Sequence, residues 1–335
     1  MSDSLEGQQF KKWLRRPTLF IANAWYLLAA AGQYLEVIAA SLAAGLWGGG
    51  NGTGLSYTVS TIYELGLLAL PVIVYAAKHE GVGQAMRLNP PRLGAMLGAA
   101  GTAVLGVLAV NNLSIWWMLL IEKLGGQLYA SGVAVPTDVN GLTGAVLLVG
   151  VVPGVCEELF FRGGLMGAWE RRGTKTALLI TSVLFALLHG TILGLPTQLL
   201  MGLVLGYVLI VTDSLYVSMI FHTVHNSTAL ILSYIGEQAA VGAEMIDPYA
   251  DMAGYVASSG GYGSLLLSTV LMMALFGLAL AMLTRSEKKR GRKFEKITRG
   301  DESCMTWQEL LVLIAGLMTV GAAYFSDALM IFGII

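Results

Sequence analysis

The chain has 335 residues, 56% of them hydrophobic and only 12% charged, with a mean hydropathy of +0.69. Soluble domains carry about 25% charged residues, so this composition excludes an ordinary soluble fold. A net charge of −1 offers no basic surface for nucleic acid, and Cys156 and Cys304 stand in unlike settings that support neither a disulfide framework nor a thiolate metal site.

A bilayer core of ~30 Å takes roughly 20 apolar residues in helical form. In chain order such runs fall at about 18–46, 57–77, 93–121, 141–169, 176–193, 196–212, 214–235, 263–284 and 307–335. The expectation is an all-α, polytopic transmembrane bundle of eight or nine spans, since lipid leaves free backbone groups unsatisfied. Residues 1–17 read as a polar cytoplasmic segment, 18–130 as N-terminal spans, 141–235 as a catalytic unit and 263–335 as C-terminal spans interrupted by a basic loop at 285–299. With the N-terminus inside and nine spans, 18 of the 20 Lys and Arg residues fall on the cytoplasmic side. Only Lys123 lies outside and Arg162 lies within a span, which is the asymmetry that fixes orientation in membranes.

Ionisable groups in mid-membrane are costly, at roughly 2.5–3.5 kcal/mol each, so each one marks a candidate functional site. Span four holds Glu157, Glu158 and Arg162; span five holds Phe185 and His189; span seven holds His222, His225 and Asn226. At ~1.5 Å per residue from the cytoplasmic ends, Glu157, His189 and Asn226 lie ~20–21 Å deep and His222 ~14 Å. Groups from three helices thus converge on one level. Residues at i and i+4 share a helix face, so Arg162 pairs with Glu158. Glu157 keeps no local countercharge and is the candidate general base. The bland alternative makes both glutamates part of one packing ion-pair network. His225 stands one position aside and either supports the site or hydrogen bonds between helices. Gln33, Glu36 and Glu64 read as interhelical hydrogen bonders, Gly202-x-x-x-Gly206 as a close helix-packing step, and Cys156 as a packed apolar thiol.

Glu-Glu-x-x-x-Arg at 157–162, Phe-x-x-x-His at 185–189, the glycine step at 202–206 and His-x-x-x-Asn at 222–226 together resemble the CAAX-protease and bacteriocin-processing (Abi) family. These are intramembrane proteases of the type II CAAX prenyl endopeptidase kind. The resemblance implies that Glu157 activates a water, with His189 beside it. It also implies that His222 and Asn226 stabilise an oxyanion and that the site opens to the cytoplasm. Such enzymes are often classed as metalloproteases, yet a glutamate–water route needs no metal. No cofactor is expected, with zinc on Glu157, His189 and His222 as the alternative; no His-Glu-x-x-His occurs. The expected partners are the bilayer and a membrane-associated protein or peptide substrate, prenylated or not, with no nucleic acid. Two rivals remain at this point: a non-proteolytic family member serving as an immunity or scaffold protein, and a transporter with its binding site at the midplane.

Overall fold

A computed structural model describes residues 16–46, 52–79, 81–129, 135–240, 247–289 and 305–334. Most of the N-terminal polar segment, residues 290–299 of the basic loop and Cys304 fall outside them. The described residues are helical, without strands. Among the described residues nine helices of 15 or more residues run in order: α1 (Leu19–Leu46), α2 (52–78), α3 (Leu93–Lys123), α4 (Val139–Arg172), α5 (Thr174–Leu188), α6 (Leu195–Thr212), α7 (Leu215–Ala240), α8 (Gly261–Lys289) and α9 (Trp307–Ile331). Among the described residues, six of them, α2, α3, α4, α6, α8 and α9, are long and apolar enough to cross a membrane. Eight or nine spans were expected, so three helices fall short of that standard. The polar character of α7 explains its case, because it carries His222, Thr223, His225, Asn226, Ser227 and Thr228 in one stretch. Helix α5 has only 15 residues.

The shortness of α5 corrects the reading of span five as a helix running to residue 193. His189 does not sit inside the helix but caps its C-terminus, and Gly190 follows with φ +66°. That left-handed step favours glycine and ends helices. Non-helical backbone is tolerated at membrane depth only where protein groups satisfy it. Here Trp117 Nε1 donates to Ile192 O at 2.8 Å, and Ile192 N donates to Asp327 Oδ2 at 2.6 Å. Asp327, which interrupts the last apolar run, therefore has a structural task. Tyr129 also donates to it, and burial together with that bond pushes the Tyr129 hydroxyl up to about 12.

The other end of the bundle gathers the basic residues. Glu170, near the end of α4, accepts from Arg16 at 2.7 Å and from Arg87 at 2.6 Å, all three buried. Arg87 also reaches Asp213 at 3.3 Å, and Asn89 Nδ2 donates to both Asp213 Oδ2 and its carbonyl. Asp213 itself takes a left-handed conformation to close α6. The starts of α1, α5 and α7 and the ends of α2, α4 and α6 are thus tied into one polar plate. Between the plate and Glu157 the packing is tight: Phe160, Phe161, Leu165 and Met166 of α4 have essentially no exposure. Breaking one partner of a buried pair leaves an uncompensated charge, at about 3–5 kcal/mol. Glu170→Ala strands two arginines and is expected to lose stability in that range, read as a lowered thermal midpoint in detergent; an unchanged midpoint would show that the plate is ornamental.

Candidate active site

Helices α4 and α7 approach so closely that a side chain has no room at their crossing. A Cβ at Gly154 would lie 2.8 Å from the Thr223 backbone nitrogen. One turn further along, this contact brings Glu157 and Glu158 against Ser218 and His222. Helix α4 also widens to π-type turns over Val146–Val151 and Glu158–Leu165, as α2 does over Glu64–Ala69. Such widened turns recur at functional positions.

Glu158 is fully buried and takes three partners. Arg162 Nη1 lies 3.0 Å from its Oε1, Ser218 donates to Oε2 at 2.5 Å, and His222 Nδ1 sits 3.1 Å from Oε1. An ion-paired carboxylate accepts, so Nδ1 carries a hydrogen and Nε2 is turned the other way. That Nε2 faces Glu157 Oε2 at 4.0 Å. The separation exceeds a hydrogen bond and suits one water or substrate oxygen lying between the two groups. Glu157 Oε2 is buried and has no hydrogen-bond partner, and Glu64 of α2 lies against the Glu157 side chain.

The remaining groups form the surround. Arg162 extends over the Phe185 ring, 4.5 Å from its centroid, and Nη2 donates to Gly202 O at 3.1 Å. Phe185 in turn contacts His189 at 4.8 Å and His222 at 6.0 Å between ring centres. His189 Nδ1 bonds the Phe185 carbonyl at 2.8 Å. A cavity of about 530 Å³ is lined by Glu157, His189, Asn226, Glu64 and residues of α1 and the first half of α2. His225 lies against Ala103 of α3 and stacks on Phe221. Cys156 is buried and unpaired.

Sequence reasoning paired Glu158 with Arg162 alone and missed Ser218 and the contact to His222. The signal was present, since Ser218 and His222 are i and i+4 on α7. Glu64 was read as a packing residue, and nothing in its local sequence places it beside Glu157. Among the described residues no three His, Cys, Asp or Glu side chains form a metal-binding set, so Glu157, His189 and His222 do not fit zinc as arranged.

Residues 140–228 match the family model Rce1-like, described as type II CAAX prenyl endopeptidase. The matched stretch is less than a third of the chain and runs from the start of α4 to the middle of α7, so it contains all four motifs. No curated protein and no solved structure matches the chain.

The glycine step beside Arg162 separates into two unequal positions. A Cβ at Gly202 would meet the Ser182 backbone at 2.9 Å, whereas one at Gly206 would meet only the end of the flexible Leu178 side chain. Overpacking against backbone costs about 1–3 kcal/mol. Gly202→Ala is expected to destabilise by that amount and Gly206→Ala by clearly less, measured by thermal unfolding of the two variants side by side. Equal losses would contradict the close α5–α6 approach.

Proposed function

From an Rce1-like domain built around Glu157, we propose that this integral membrane protein is an intramembrane endopeptidase. It would hydrolyse a peptide bond of a membrane-associated polypeptide, of which a CAAX-type tail is one form. The observation that carries this reading is the approach of His222 Nε2 to Glu157 Oε2 at 4.0 Å, beside a cavity that Glu157, Asn226 and His189 line.

In the proposed reaction Glu157 takes a proton from a water in the cavity. The hydroxide attacks the scissile carbonyl carbon, forming a C–O bond and a tetrahedral oxyanion. Asn226 donates to that oxygen from its amide. His222 donates from Nε2 in its doubly protonated form, the form in which Nδ1 also bonds Glu158. Collapse breaks the C–N bond, and Glu157 returns its proton to the leaving amine. Each donor works in a medium of low dielectric, where aligned dipoles act strongly. His189, locked to the Phe185 carbonyl, borders the same space and holds the cavity wall. The basic plate faces the cytoplasm in this reading, in accordance with charge asymmetry.

The test begins with a trap. Glu157→Gln, purified from its native membrane, is expected to retain a polypeptide that the unaltered protein cleaves in proteoliposomes. Against that substrate Glu157→Gln is expected to show no cleavage, and His222→Ala and Asn226→Ala about 10²–10³-fold lower kcat. Activity is expected to survive exhaustive chelation. Cleavage at full rate by Glu157→Gln would reject the assignment, and chelator loss reversed by zinc would replace it with a metalloprotease.

A further inference from the structure

Helix α5 stops short of crossing the membrane, and the groups that receive its end come from the two terminal helices of the bundle. Its 15 residues rise roughly 22 Å from the plate, against ~30 Å for a bilayer core. The last four carbonyls of a helix have no partner within it, and away from water each must find one elsewhere. Here all four are met. Phe185 O accepts from His189 Nδ1 at 2.8 Å, Ala186 O from Tyr324 Oη at 3.0 Å and Leu187 O from the Gly190 N–H at 3.2 Å. Leu188 O accepts from the side-chain amide of Gln33. One turn earlier, Tyr26 Oη donates to Leu184 O at 3.1 Å.

Tyr26 and Gln33 belong to α1 and Tyr324 to α9, and both helices lie outside the matched residues 140–228. The two are also bonded to each other. Asn23 Nδ2 donates to Glu309 O at 3.0 Å and Tyr34 Oη to Thr319 O at 2.7 Å. Gly316 of α9 makes room for the Tyr26 ring, which a Cβ there would meet at 2.9 Å. Tyr26 and Gln33 are seven residues apart and share one face of α1. The pair therefore presents a fixed set of donors to the end of α5.

His189 inherits its place from that end. It caps α5, and among the described residues its ring makes one hydrogen bond, to a carbonyl of its own helix. A carbonyl only accepts, so Nδ1 carries the hydrogen, and the ring cannot turn without breaking that bond. Where the imidazole stands is therefore set by where the last turn of α5 is held. We infer that Gln33 and Tyr324 are positioning residues for His189. By holding the Leu188 and Ala186 carbonyls they fix the imidazole in the wall of the cavity that Glu157 and Asn226 also line. The hold on His189 stands on the geometry, whereas its consequence for cleavage rests on the peptidase reading above.

Chemical modification of the full chain tests the hold without any substrate. In a His79→Gln background the purified protein is treated with diethyl pyrocarbonate well below its thermal midpoint. Carbethoxylation of His189, His222 and His225 is followed separately by mass spectrometry. Gln33→Leu and Tyr324→Phe are each expected to speed modification of His189 about threefold or more by loosening the last turn, with His222 and His225 unchanged. Tyr34→Phe removes a similar bond within the α1–α9 pair and is expected to leave all three rates as they were. Unchanged His189 rates in both variants, or an equal rise with Tyr34→Phe or at His225, overturn the inference. Against the polypeptide retained by the Glu157→Gln trap, Tyr324→Phe is expected to lower kcat about tenfold with KM little changed, and to have no further effect once His189 is alanine. A kcat loss that persists undiminished without His189 assigns Tyr324 to stability alone and overturns its positioning role. If the His189 rates respond as expected while Glu157→Gln still cleaves, the hold on His189 stands and the peptidase assignment falls.

Discussion

A carboxylate with no solvent exposure at mid-membrane is the constraint that organises this molecule. An isolated buried charge of that kind is worth several kcal/mol of destabilisation, and it persists only when its partners are well placed. Glu158 has three: Arg162 on its own helix, and Ser218 and His222 on α7. Satisfying it requires α4 and α7 to touch along a face where Gly154 leaves no side chain. The same requirement fixes the imidazole of His222, because Nδ1 is committed to Glu158 and only Nε2 is left to face Glu157. One structural demand therefore also sets the geometry of the proposed reactive pair.

The influence spreads outward through Arg162. Its guanidinium lies over Phe185 and reaches the Gly202 carbonyl, which links α4 to α5 and α6. Phe185 positions His189 at the end of α5, where Gly190 breaks the helix. The loop that follows would be untenable at this depth without Trp117 and Asp327, drawn from α3 and α9. Residues far apart in the chain are thus recruited to keep a non-helical turn beside the cavity. Networks of this sort rigidify a site when every member is satisfied.

Much of this was legible in the sequence, and the part that was not has physical reasons. Helix positions followed from apolar run length, and the Glu158–Arg162 pair from the i,i+4 rule. Convergence of Glu157, His189, His222 and Asn226 followed from counting residues from the charged ends. The role of Glu158 towards His222 did not follow, because it depends on which faces of α4 and α7 meet. Neither did the end of α5, since one glycine in an apolar run does not announce a left-handed turn. Asp327 interrupts the last apolar run, and only the packing of α9 beside the loop after α5 explains it. Glu64 was unremarkable as a lone acid on α2, and only the packing of α2 against α4 sets it against Glu157.

The central claim is that Glu158, held by Ser218, acts on the chemistry through His222 rather than through stability alone. Double-mutant kinetics address this most directly, because groups that act through one another lose additivity. The quantity to measure is kcat for cleavage by Ser218→Ala, His222→Ala and the double variant, with thermal midpoints alongside. The account predicts that Ser218→Ala lowers kcat in the native background and has almost no further effect once His222 is alanine. Fully additive losses, or a Ser218→Ala effect confined to the midpoint, would contradict it.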